Sequence, residues 1–262
     1  TTQPFGFMQN VRTALLSRAE NGKLTDAGNS MSPDIERVMS LNPDAILLSP
    51  FENAGYGRIG KMGIPIIECA DYLETSPLGR AEWIKFFGLL YGKEVEADSI
   101  FTEVEKNYTE LRDKIGVLSS APVVISELKS GSAWYMPGGK SYMARFFKDA
   151  GAAYPWSDNT ETGSIPLSFE TVFNRAGEAD IWLIKSFHVS ELSYRTLQKE
   201  YAPYARFKAF REKKIYGCDS SRCNYYEETP FRPDLLLQEL AALFHPGLFP
   251  DYRFRYYQPL SE

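Results

Sequence analysis

A chain of 262 residues with 29 basic and 34 acidic side chains carries a formal net charge of −5 and no Lys/Arg run, which argues against a nucleic-acid partner. No apolar run approaches the roughly 20 residues that a membrane-spanning helix needs. The length suffices for one large domain or two modest lobes, each with its own core.

In chain order, the periodicity predicts a helix-like run over Phe7–Ala19, a polar turn over residues 20–23, and a loop at Gly28-Asn29-Ser30-Met31. Ser32 and Pro33 read as N-cap and first helical residue of a short helix to Ser40, which Asn42-Pro43 ends. A buried strand over Ala45–Ser49 leads into a Gly- and Tyr-containing loop, Pro50–Gly60, at its carboxyl end, where α/β folds place their sites. Part of a short helix over Ile59–Met62, a strand over Ile64–Glu68 and a helix over Gly79–Tyr91, opened by Ser76 and closed by Gly92, follow.

Glu94–Ile115 contains no Gly or Pro, and Val95, Ile100, Val104, Tyr108, Leu111 and Ile115 recur at spacings of three to five, the pattern of one amphipathic helix. At about 1.5 Å per residue it makes a rod of roughly 33 Å, long enough to tie two lobes together. Beyond it the pattern predicts a strand over Pro122–Glu127, an exposed turn over Trp134–Gly139, a helix over Ser141–Ala150 and a strand over Ile181–Lys185. A helix over Tyr194–Glu200, a segment over Tyr204–Glu212, a strand over Lys214–Gly217 and a helix over Pro233–Phe244 complete it, with the tail Phe254–Tyr257 packing on a lobe.

The sequences flanking the rod resemble each other. Ser30 stands six residues before Glu36 and Ser164 six before Glu170; Val38 and Val172 follow two residues later, and Asp44 and Asp180 precede apolar strands, the second copy being two residues longer. Ile64–Cys69 and Ile215–Cys218 also correspond. A duplicated α/β unit on each side of a helix implies two lobes facing each other across a cleft. The expected organisation is α/β, with two lobes of short sheets: an N-terminal lobe over 1–93, an interlobe helix over 94–116 and a C-terminal lobe over 117–262.

With 16 Tyr and 17 Phe, many in loops, the chain is rich in side chains that contact ligands. Cys218 and Cys223 sit five apart, and spacing leaves open a disulfide in an oxidising compartment or two free thiols. Only His188 and His245 are present, too few for a histidine-based zinc or manganese site. Enzymatic chemistry lacks support: there is no G-x-S-x-G, and although Gly139-Lys140-Ser141 matches the end of a phosphate loop, Trp134 stands where its first Gly belongs.

The segments SPDIERVMSLNPDAILLS (32–49), SPLGRAEWIKFFGLLYGKEVEAD (76–98), YMPGGKSYMARFFKDAGA (135–152), GSIPLSFETVFNRAGEADIW (163–182) and RPDLLLQELAALFHPGLFP (232–250) cover much of residues 28–250. On these the chain resembles periplasmic substrate-binding proteins of the iron-siderophore, haem and cobalamin ABC transporters. The resemblance implies two α/β lobes joined by one long helix, with limited closure around a metal-chelate ligand, no cofactor and no catalysis. It further implies a monomer serving a permease and its ATPase subunit at the periplasmic face, with a possible lipid anchor in the precursor. The open alternatives are a scavenger or sensor module without transport, or a hydrolase using the cleft. Members usually begin with a strand, helix and strand that this chain largely lacks ahead of Leu24, so the first lobe is expected to be incomplete. No signal-like segment precedes Thr1, as expected of a processed form.

In that family one Glu on each lobe engages permease arginines, and the matching positions are Glu36 and Glu170. A first-turn Glu also favours its own helix dipole. The positions facing the cleft are Asn29, Ser30, Met31, Phe51 and Tyr56 from the first lobe, and Tyr135, Met136, Ser164, Ile165, Phe187, Asp219, Arg222 and Tyr226 from the second. Flat aromatic faces suit corrin or porphyrin rings, and Arg suits propionate, hydroxamate or catecholate oxygens. Cobalamin-binding members tend to carry Trp just before the motif, where this chain has Ser30 and Ser164.

Overall fold

The computed structural model describes residues 24–29, 32–50, 56–187 and 192–262. The expected helix over Phe7–Ala19 and the turn after it lie outside these, as do Ser30, Met31, Phe51 and His188. The chain divides after Leu73 into two compact units, ahead of the boundary expected at residue 93.

In the first unit β1 (Gly28–Asn29) pairs antiparallel with β2 (Ser32–Pro33). Helix α1 (Ile35–Leu41) is capped by Asp34, whose carboxylate accepts from the Arg37 N–H at 3.0 Å. The cap therefore lies two residues later than the expected Ser32, because Ser32 and Pro33 are drawn into a strand. Asn42 ends the helix with a φ of 43°, a left-handed conformation that Asn tolerates. Strands β3 (Ile46–Leu48) and β4 (Ile66–Glu68) pair in parallel. Val38, Ile46, Leu48, Ile59 and Ala27 form the core of this unit.

The second unit opens with α2 (Pro77–Leu90), whose N-cap Ser76 accepts from Gly79 N–H at 3.2 Å, and α3 (Glu94–Ile115). The two helices touch at Gly88, where a Cβ would lie 2.5 Å from that of Ala97. The long helix buries Ala97, Phe101, Val104, Tyr108 and Ile115, at spacings of 4, 3, 4 and 7. Val95 and Ile100 face solvent instead: at about 100° per residue Val95 lies roughly opposite Val104, and Ile100 falls at the edge of the stripe, roughly 80° from Tyr108. Polar clamps hold the helix to its own unit. The Tyr108 hydroxyl donates to Asp149 at 2.8 Å, and Asn107 donates to Asp234 at 3.4 Å.

The remaining elements are β5 (Val124–Ser126), β6 (Lys129–Ser130), β7 (Ala133–Pro137), α4 (Tyr142–Asp149), β8 (Ser164–Leu167), α5 (Phe169–Ala176), β9 (Ile181–Ser186) and α6 (Tyr194–Glu200). After these come α7 (Lys208–Arg211), β10 (Ile215–Asp219), α8 (Tyr225–Glu228), α9 (Pro233–Phe244) and β11 (Gln258–Pro259). Strands β5, β9 and β10 are parallel, β11 closes the edge antiparallel to β10, and β6, β7 and β8 form a separate antiparallel sheet. The run Ile181-Trp182-Leu183-Ile184 is buried throughout, as expected of a parallel strand covered on both faces. Around Trp182 the rings of Trp134, Tyr204 and Phe207 stand 5.2–5.4 Å away, centroid to centroid.

The duplicated motif gives the same local structure twice. Asp34 and Ser168 are both N-caps, Glu36 and Glu170 both occupy the second helical position, and Val38 and Val172 both point into their cores. Asp180 at the foot of β9 has acquired a further role. It accepts from Val123 N–H at 2.8 Å and pairs with Lys208 at 2.6 Å. Burial works against its charge, but these partners outweigh that and hold the carboxyl below its ordinary value. A depressed folded pKa lends stability above the unfolded value of about 3.9, which is lost as the pH falls through the folded one. We therefore expect Asp180→Asn to cost about 1–2 kcal/mol at pH 7 and to flatten the acid limb of a stability–pH curve from urea melts.

Candidate functional site

In the second unit the carboxyl ends of β5, β9 and β10 lie side by side, since Ser126 pairs with Leu183 and Asp219 with Ser186. That end of a parallel sheet is where α/β folds place ligands. Glu127 leaves β5 with a φ of 63°, and its backbone is held on both sides, its N–H donating to the Leu183 carbonyl at 2.9 Å and its carbonyl accepting from Trp182 Nε1 at 2.9 Å. A non-glycine residue in this region is held there by its surroundings. The Glu127 carboxylate meets Lys185 Nζ at 2.9 Å, and that ammonium sits 5.7 Å from the centre of the Tyr225 ring. Burial disfavours the Lys185 charge, but Glu127 more than offsets it and holds the pKa above the usual lysine range.

This pair is half-buried, and the exposed candidates lie on the segments that follow the strands. Phe187 at the end of β9 and Tyr226 on α8 are each 56% exposed, and Arg222, on the turn after β10, lies largely in solvent with its Nε 3.3 Å from Asp219. Asp219 also accepts from the N–H and hydroxyl of Ser221 at 2.9 and 2.6 Å. The end of the sheet thus offers two partly exposed aromatic rings, one guanidinium and a lysine–glutamate pair.

The antiparallel sheet supplies the rest and corrects the reading of its loop. Residues 134–137 of the expected exposed turn lie in β7, and the pleat alternates their side chains. Tyr135 is 50% exposed, whereas Trp134 and Met136 are fully buried. On β8, Ser164 is exposed and Ile165 buried. Met136 and Ile165 therefore belong to the core and present no side chain to a ligand. Gly139 follows where the backbone passes close to residues 156–159: a Cβ there would lie 2.3 Å from the Asn159 carbonyl and 2.4 Å from that of Trp156. Ser141 caps α4, its Oγ accepting from Ala144 N–H at 3.2 Å. The Gly-Gly-Lys-Ser run is thus a turn and a helix cap.

In the first unit Tyr56 packs on the core and its hydroxyl donates to Glu68, an interaction that raises the phenol pKa. The backbone of Asn29 lies in β1. His245 Nε2 is 3.1 Å from the Ala150 carbonyl and serves packing. Among the described residues no group of three or more His, Cys, Asp or Glu side chains converges to hold a metal ion. Cys218 and Cys223 are free thiols whose sulfurs lie 3.7 Å apart.

Sequence reasoning missed Glu127, Lys185 and Tyr225. The available signal was Lys185 itself, a cation ending an otherwise apolar strand. Glu36 and Glu170 are both exposed, and no ion pair among the described residues involves either.

A sequence model of the family described as periplasmic binding protein matches residues 5–221. An uncharacterized lipoprotein of Methanocaldococcus jannaschii is 31% identical over 239 residues, covering 87% of this chain and 54% of that protein, so the chain spans about half the length of this relative. Among solved structures, a periplasmic heme binding protein from Pseudomonas aeruginosa has a TM-score of 0.66 at 18% identity, covering 89% of this chain and 84% of that one. A TroA-like periplasmic binding protein, FepB, from Veillonella parvula has a TM-score of 0.66 at 17% identity, covering 97% and 85%. At such identities the structures speak for the fold alone, while the sequence match across most of the chain settles its kinship: this chain belongs to the periplasmic binding protein family.

Proposed function

We propose that the chain is the substrate-binding component of an ABC importer, capturing an iron complex, haem or cobalamin outside the cytoplasmic membrane and delivering it to a permease. The observation that carries this reading is the set of Phe187, Tyr226 and Arg222 at the carboxyl end of the parallel sheet, in a chain of this family. Exposed aromatic faces are costly to leave in water and suit a flat macrocycle or a catechol ring, while a guanidinium suits the carboxylate or chelate oxygens at its edge. Tyr135 and Ser164 are exposed on one face of the antiparallel sheet. The heme-binding and FepB neighbours are consistent with such a cargo, and the lipoprotein relative with a lipid-anchored full-length form. No helix among the described residues is long and apolar enough to cross a membrane.

A thermal-shift panel of haemin, cobalamin and ferric hydroxamate and catecholate siderophores tests the proposal. A cargo present at about 100 times its Kd stabilises the native state by about 2.7 kcal/mol and raises Tm by roughly 5 °C or more. If every compound leaves Tm unmoved, the reading fails.

A further inference from the structure

The loop that carries Asp219 and Arg222 begins and ends on a cysteine. Cys218 lies within β10 and is fully buried, so its position is set by the sheet. Cys223 is partly buried on the turn, where its thiol donates to the Asp219 carbonyl at 3.3 Å and its sulfur lies 3.7 Å from that of Cys218. The turn is tightened by the Arg222 N–H donating to the Asp219 carbonyl at 3.0 Å and by Ser221 on the Asp219 carboxylate. A disulfide needs the sulfurs at about 2.05 Å, so closure asks for an approach of about 1.7 Å from the 3.7 Å separation.

We propose that Cys218 and Cys223 form a dithiol that thiol–disulfide exchange converts to an intrachain disulfide, locking the turn over residues 219–223. The co-reactant is a small-molecule or protein disulfide. The Cys223 thiolate attacks one of its sulfurs and releases one thiol; Cys218 then loses its proton and attacks Cys223, expelling the second. Two cysteine thiols are oxidised and one external disulfide is reduced to two thiols. Cys223 is the first nucleophile, since the hydrogen bond from Cys218 and the Tyr225 N–H lower its pKa against the effect of burial, while Cys218, donating that bond from within the sheet, is held high. Cys69 has no part in the exchange: it is buried in the first unit with its thiol toward the Ile67 carbonyl.

The inference is independent of the cargo and is tested on the full chain with oxidised glutathione as the probe. After acid quenching, unfolding and alkylation, intact mass should show one free thiol in place of three and a loss of about 2 Da, with a cross-linked peptide joining Cys218 to Cys223. Tm should rise by about 5 °C on oxidation and return on reduction. Cys223→Ser should keep its two remaining thiols and show no such rise. Retention of all three thiols in the wild type, or a persistent glutathione adduct on Cys223 without the cross-link, overturns the proposal. A cross-link that leaves Tm unchanged overturns the locking.

Discussion

Replacing Glu239 with Ala should destabilise the second unit by about 3–5 kcal/mol and free the C-terminal tail. Glu239 sits in the middle of α9 with no solvent exposure, and its carboxylate accepts from the backbone N–H groups of Arg255, Tyr256 and Tyr257 at 2.6, 2.8 and 2.6 Å. Each buried donor left without an acceptor costs about 1–3 kcal/mol, and the loss of three is moderated only by entry of water. The tail they belong to underpins the candidate site. Tyr256 and Tyr257 pack against Tyr225 with ring centres at 5.5 and 6.2 Å, and Tyr225 lies beneath Lys185 and beside Tyr226. Urea denaturation followed by tyrosine near-UV dichroism measures the loss. Glu239→Gln, which keeps an acceptor oxygen, should cost less than Glu239→Ala; equal stability of Glu239→Ala and wild type would show that the tail is held by something else.

The second large effect is on delivery. Reversing both motif acids, Glu36→Arg with Glu170→Arg, should reduce association with the permease by about 100-fold or more while leaving cargo affinity unchanged. In the docking role proposed for these two acids, two charge-assisted pairs at about 1.5–3 kcal/mol each would supply at least 3 kcal/mol, and 1.4 kcal/mol is tenfold. Folding should be little affected: both side chains are exposed, and their local role is a first-turn charge worth about 0.3–1 kcal/mol to the helix dipole. Co-purification with the permease in detergent, alongside a cargo titration, separates the two quantities. Undiminished association would remove the docking role and favour a binding module without transport.

Much of the architecture is legible in the sequence where one local rule dominates. The bounds of α3, α6 and α9 follow from their periodicity and flanking breakers, and Ser76 announces its helix, while Ser141, read as the first helical residue, proves to be the cap of the next. Where two rules compete, the reading slips. Ser32-Pro33 satisfies the pattern of a helix start, yet strand pairing with Gly28 and Asn29 takes those residues and leaves capping to Asp34. Trp134 to Pro137 precedes two glycines and reads as a turn, but its alternation of buried and exposed side chains is that of a strand, which also explains why Tyr135 reaches solvent and Met136 does not. The division after Leu73 lies ahead of the expected boundary because α2, placed by the sequence reading in the first lobe, packs on α3 at Gly88, and α3, read as the connection, is clamped to Asp149 and Asp234 of the second unit. Of the site, the exposed residues Phe187, Arg222 and Tyr226 follow from their place after strands. The Glu127–Lys185 pair does not, since it joins residues 58 positions apart through strand register.

The most direct measurement is an equilibrium titration of the active panel compound, read by its absorbance or by quenching of tryptophan fluorescence, into wild type and into Tyr226→Ala with Arg222→Ala. Both substitutions fall on exposed side chains and should leave Tm within about 2 °C. The account predicts saturation at one equivalent in the wild type and affinity weakened at least tenfold in the double variant. Equal affinity in the two proteins, or no saturable binding by either, would contradict it.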